Sequence, residues 1–260
     1  MKFFKMIGFC LLLGVLVACG GEGPINDGNG RGASGGGGAP PPPPPFGSNG
    51  GGALNEQAAA TSGEQTFKLE GWADNWFAVY LGETLLAEDS VPITTERSFN
   101  AEVVTFKADY PLQLNFVLKD FKENDTGLEY IGARNQQMGD GGFIMQLTDV
   151  GRGEIVAVSD GSWRCLVIHE APLDKSCEGE SAPVAGEGAC TFRAEVEPAG
   201  WMTAGFDDSG WSSAVVHSFS SVSPKDGYDE IDWDGAAELI WGPDLETDNT
   251  VLCRVTVAGP

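Results

Sequence analysis

The chain has 260 residues, with 38 Asp or Glu against 15 Lys or Arg, for a formal net charge of −23. Phosphate binding needs clustered basic side chains, and no basic run is present, which argues against a nucleic-acid partner. The first 63 residues sum to zero charge, so residues 64–260 carry all of it. Anionic lipid head groups would repel such a surface, and the acidity serves either solubility or divalent-cation binding.

Lys2 and Lys5 precede an apolar run from Met6 to Ala18. The run is too short to span a bilayer but suits the core of a signal peptide, expected over residues 1–18. It ends Leu16-Val17-Ala18-Cys19-Gly20, which resembles a bacterial lipoprotein lipobox. The resemblance implies cleavage before Cys19 and lipid modification of its thiol. The lipid is then the expected membrane attachment. Gly20 stands where an Asp would direct retention in the inner membrane of some bacteria. The expected address is therefore the cell envelope, at the outer membrane or cell surface.

Residues 19–63 are expected to form a disordered stalk. Fourteen glycines fall between Gly20 and Gly52, and Pro40 to Pro45 form an unbroken run. Such a composition cannot bury enough apolar surface to offset the entropy of ordering. The six prolines predict a polyproline rod of about 19 Å within it.

From Glu64 onward the chain alternates short apolar runs with turn residues. Candidate strands cover 67–72, 76–81, 103–106, 112–118, 142–147, 154–158, 163–169, 191–196, 214–219, 238–241 and 250–257. No window carries a helical stripe. Strands without intervening helices predict an all-β fold, an antiparallel β-sandwich or jelly roll forming one domain over residues 64–260.

Four cysteines remain beyond Cys10 and Cys19, and an even number in an exported chain reads as two disulfides. Three pairings are open. The favoured one joins Cys177 to Cys190 across a loop and Cys165 to Cys253 between a middle strand and the last. Zinc is disfavoured, because no C-x-x-C pair exists and the two histidines are remote in sequence.

Three segments resemble the galactose-binding-like β-sandwich family. They are Ala73-Asp74-Asn75-Trp76 with the strand that follows, Ser159-Asp160-Gly161-Ser162-Trp163-Arg164, and Gly205-Phe206-Asp207-Asp208-Ser209-Gly210-Trp211. They occur in the family's order. The chain departs from the pattern where only Gly82 represents the usual Asn-Gly hairpin turn, and where 120–142 and 171–188 are longer. The resemblance implies sugar binding, often with a structural calcium, and no catalysis by the domain itself.

All seven tryptophans lie between Trp72 and Trp241. Trp163 and Trp211, inside the fold signature, are expected in the core. Trp72 and Trp76 flank Asp74-Asn75, and Trp233 sits between two aspartates. An indole beside hydrogen-bonding groups can stack on the apolar face of a sugar, so Trp72, Asp74, Asn75, Trp76 and Trp233 are the candidate glycan contacts. Asp226, Asp229, Glu230, Asp232 and Asp234 crowd nine residues. Such carboxylates either converge on calcium or form a solvated loop. No G-x-S-x-G, H-E-x-x-H or phosphate loop is present, and His169 and His217 are isolated, so no enzyme is expected. The function expected is non-catalytic carbohydrate binding at the envelope, with a glycan or surface polysaccharide as partner. A protein-interaction domain without a sugar site is the alternative.

Overall fold

The computed structural model describes residues 54–94, 99–120 and 124–260. The signal segment, Cys19 and the stalk as far as residue 53 lie outside the described residues.

In chain order the strands begin with β1 (Asn55–Ala58), β2 (Gln65–Asp74), β3 (Trp76–Leu81), β4 (Thr84–Glu88), β5 (Ala101–Ala108) and β6 (Leu112–Lys119). The middle holds β7 (Leu128–Glu129), β8 (Gln137–Met138), β9 (Gly142–Asp149), β10 (Glu154–Val158) and β11 (Arg164–Glu170). The chain closes with β12 (Arg193–Ala194), β13 (Ser212–Ser213), β14 (Val215–His217), β15 (Leu239–Trp241) and β16 (Asp248–Val257). Among the described residues helical structure is limited to 3-10 turns at Lys175–Gly179 and Tyr228–Glu230 and to α1 (Phe219–Val222).

Two sheets pack into the expected all-β sandwich. The first runs β1-β5-β2-β9-β15-β14, with β10 also on β9. The second runs β12-β11-β16-β6-β3-β4, with β13 also on β11. Pairing is antiparallel except between β1 and β5, which run parallel. Each expected run holds a strand, but 191–196 and 214–219 shrink to two and three residues. β1 corrects the assignment of 19–63 to a stalk, because residues 55–58 are part of a sheet. Polar Asn55, Glu56 and Gln57 gave no apolar alternation to read. They are held through the backbone ladder and through Asn55 and Gln57 side chains donating to Glu102.

The period-two geometry of a strand decides what meets in the middle. Phe67, Leu69 and Ala73 of β2, Phe143, Met145 and Leu147 of β9, and Leu112, Leu114, Phe116 and Leu118 of β6 all turn inward. Trp163 joins them, 4.8 Å from the Phe116 ring. Gly71 faces the same interior, where a Cβ would press on the Phe77 ring.

The outer faces are apolar as well. Trp72, Ile144 and Leu239 stand outward on the first sheet and are covered by Val222 and Ile231 of the segment 218–237. Val117 and Leu252 stand outward on the second and are covered by Trp201 and Trp211. Trp211 is thus buried as expected, but beneath a covering loop rather than between the sheets.

Arg254 pins that second cover. Its guanidinium is 2% exposed. It donates to Asp208 Oδ2 at 2.9 Å, to the carbonyls of Thr203 and Phe206 at 2.9 and 3.2 Å, and to Asn115 Oδ1 at 3.2 Å. Both disulfides pair as favoured. Cys165–Cys253 bridges β11 and β16 at directly opposed positions, and Cys177–Cys190 closes the loop beside the β7–β8 ribbon.

Two outcomes test this account. Arg254→Ala should cost about 3 kcal/mol by denaturant unfolding, and Arg254→Lys should recover little, because a lysine cannot form the fork of contacts. Removing Cys165–Cys253, which spans 88 residues, should lower stability more than removing Cys177–Cys190, which spans 13, by about 1–2 kcal/mol on the chain-entropy scale.

Candidate functional site

The segment 218–234 both covers the first sheet and carries three neighbouring aromatic rings that are not fully buried. Ser218 caps α1, its hydroxyl accepting from Ser221 N–H at 3.1 Å. Val222 and Ile231 anchor the segment into the sheet face. Gly227 has φ 87°, and a side chain there would overlap the Phe99 carbonyl. Gln146 of β9 holds the far end: its Oε1 accepts from Asp234 N–H at 2.7 Å, and its Nε2 donates to the Asp232 carbonyl at 3.2 Å.

On this frame the rings of Phe219, Tyr228 and Trp233 form a row. Phe219 and Tyr228 lie 5.6 Å apart edge to face, and Tyr228 and Trp233 lie 5.7 Å apart at 39°. Phe219 is 59% exposed, and Tyr228 and Trp233 are half-buried. Trp233 Nε1 donates to the Tyr228 carbonyl at 2.9 Å, which fixes the indole. Burial first, and the Asp229 charge second, raise the Tyr228 phenol above its ordinary range.

The remaining expected contacts are dispersed. Trp72 is fully buried under the cover, donating from Nε1 to the carbonyls of Phe99 and Asp226, both at 3.2 Å. It therefore cannot stack on a sugar. Its outward position on β2 looked like surface, but the covering segment encloses it. Asp74 and Asn75 are buried where the chain crosses from the first sheet to the second, so they form no exposed polar turn. Asn75 Nδ2 donates to Asp74 Oδ1 at 2.8 Å. Lys225 Nζ lies 3.3 Å from Asp74 and 3.5 Å from Asp140. Burial holds the Asp74 carboxyl well above the usual carboxylate range despite Lys225. Trp76 is half-buried on the outer face of the second sheet, with Lys119 Nζ 5.1 Å from its ring. Trp76 and Trp233 therefore lie on opposite sides of the sandwich and share no site.

The five acidic residues of 226–234 do not converge. Asp226, Asp229, Glu230 and Asp232 are exposed, and Asp234 is half-buried with Oδ1 turned back to accept from Ala236 N–H. Among the described residues no three His, Cys, Asp or Glu side chains are grouped to hold a metal. Crowding in sequence therefore does not bring these carboxylates together in space.

Sequence reasoning missed Phe219 and Tyr228. The signal available was Phe219 set among Ser218, Ser220 and Ser221 at the end of the apolar run from Ala214, an aromatic in an otherwise polar turn. Clefts elsewhere include one of about 530 Å³ beside Asp160, Trp163 and Thr256, one of about 520 Å³ beside Gln65, Tyr110 and Asp149, and one of about 480 Å³ beside Glu170, Arg193, Asp244 and Asp248. Trp163 and Trp241, lining the first and the last, are buried, and Tyr110 in the other is half-buried with its hydroxyl donating to Asp149 at 3.1 Å. Of the histidines, His169 is buried, and His217 Nε2 lies 2.9 Å from the Gly242 carbonyl. The chain matches no protein-family model, no curated protein and no solved structure.

If Gln146 holds the covering segment, Gln146→Ala should speed amide exchange over residues 232–237 by about tenfold or more while leaving β6 and β16 protected.

Proposed function

We propose that this chain is a lipid-anchored envelope protein that binds glycans without catalysis, through the aromatic row Phe219–Tyr228–Trp233. The observation that carries the reading is the row itself, three rings within 6 Å of their neighbours and fringed by Asp229 and Asp232. Rings offer stacking area to the C–H face of a pyranose, and carboxylates accept from its hydroxyls. The galactose-binding-like resemblance of 73–76, 159–164 and 205–211 supports the same reading. Leu16 to Gly20 supports attachment through Cys19.

A protein-docking role is the second reading. It is favoured by Val216, 44% exposed on the edge strand β14 that leads into Phe219.

The test is a glycan array probed with the full chain, with calcium and again with chelator. Saturable binding is expected, weakened about tenfold by Trp233→Ala and by Phe219→Ala, as suits the loss of about 1–1.5 kcal/mol of ring contact. Trp76→Ala, on the opposite side, should leave it unchanged. An array blank in both conditions, or binding indifferent to Phe219 and Trp233, overturns the reading. Cross-linking of a cell-surface protein at Val216 and Phe219 would then favour the docking role.

A further inference from the structure

We propose that the free edge of β16 at Val255, Thr256 and Val257 is a docking site for an extended basic segment of a partner protein, which adds there as a strand. The inference goes beyond the glycan reading and uses none of its three rings.

The site follows from where β11 begins. β16 pairs with β6 without interruption from Thr250 to Val257, which faces Leu112. On its other side β16 pairs with β11, but that ladder stops where Arg164 faces Arg254. β11 cannot start earlier, because the chain before it is turned. Asp160 Oδ1 accepts from Ser162 N–H at 2.7 Å, and the Asp160 carbonyl accepts from Trp163 N–H at 3.4 Å. Among the described residues Val255, Thr256 and Val257 therefore have a neighbouring strand on one side alone. Backbone groups of successive residues in an antiparallel strand point alternately to its two sides, so this stretch turns amide and carbonyl groups into the open lane. The Val255 carbonyl accepts from Gln113 Nε2 at 3.3 Å, and no other side chain among the described residues bonds to the backbone of the three.

The lane is a cleft rather than flat surface. Its volume is about 530 Å³, and β10 forms the opposite wall. β10 pairs with β9 alone among the described strands, and a register shift between Ile155 and Ala157 disrupts even that ladder. β10 therefore walls the cleft while β16 offers the pairing edge. Ile155 is 41% exposed, and Val156, Val158 and Val255 are half-buried, so the walls present apolar side chains to a strand lying between them. Three residues of strand extend about 10 Å, which admits a segment of three or four residues.

The charge of the occupant follows from the lining. Asp160 and Asp234 are its charged side chains. Each commits Oδ1 to a backbone N–H of its own turn, at 2.7 and 2.8 Å, and neither is in an ion pair among the described residues. A lysine or arginine on the incoming segment complements them. A second copy of the chain brings the same net charge of −23 and is repelled. A basic strand gains main-chain bonds from β16, apolar contact from β10 and charge contact from the two aspartates.

The probe is the peptide acetyl-Lys-Val-Thr-Val-Lys-amide, titrated into the full chain. Saturable one-to-one binding is expected, with amide exchange at Val255–Val257 slowed about tenfold at saturation. The same peptide N-methylated at its three central residues loses its main-chain donors and should bind at least about tenfold more weakly. With glutamates in place of both lysines it should not saturate. Asp160→Asn with Asp234→Asn should weaken binding about tenfold, whereas Asp229→Asn with Glu230→Gln, the same change of charge elsewhere, should leave it unchanged. Should the first pair fail to fold, the N-methylated peptide on the native chain carries the test. No saturable binding, binding indifferent to N-methylation, or protection of the edge strands β4 or β14 instead would overturn the site. Equal weakening by both acidic pairs would reduce it to diffuse charge attraction and also overturn it. Self-association of the chain with Val255–Val257 protected would give the lane to a second copy and overturn the basic partner.

Discussion

Arg254 sits on the outer face of the second sheet, almost wholly out of water, and ends in four hydrogen-bonding partners. A charge in that position is tolerable only because its partners are in place. It must be there because Val117, Leu252 and Ile168 make this face apolar, and an apolar face needs a cover. The cover is irregular chain, whose own backbone groups need partners once buried. The guanidinium supplies them to Thr203 and Phe206. On the other sheet Gln146 does the same for Asp232 and Asp234. A two-layer sandwich thereby becomes four layers, with the outer two made of loops fastened by single polar side chains.

That arrangement explains where sites can arise. The interior is filled by Phe67, Phe116, Phe143 and Trp163, leaving no room for a ligand. The covers are short of apolar material and cannot bury every ring they carry. Phe219, Tyr228 and Trp233 project from the first cover for this reason, since Val222 and Ile231 already occupy the sheet face.

The fold was legible to the extent that alternation reports it. β2, β3, β6, β9 and β16 are long, apolar on the inward face and bounded by turn residues, and their limits fall close to the sequence reading. Cysteine parity and spacing led to the observed disulfides. What alternation cannot convey is the fate of the outward face. Trp72 alternates correctly and still ends buried, because a segment 154 residues later lies over it. Asp74 and Asn75 look like a solvated turn in any local window. Their burial depends on Lys225, Asp140 and the approach of β6, all distant in sequence. Of the candidate site only Trp233 was foreseen, since Phe219 gains meaning only beside Tyr228.

β1 is four residues long and polar, yet it lies along the upper half of β5 as the outermost member of its sheet. A bare β5 would present a row of open amides and carbonyls beside Val103, Val104 and Phe106, a template for strand addition by another copy. A chain cut at Glu64, the boundary that composition suggests, would lose this guard strand. Its self-association would then be an artefact of the cut, produced by a seam that the intact molecule keeps stitched with Asn55 and Gln57.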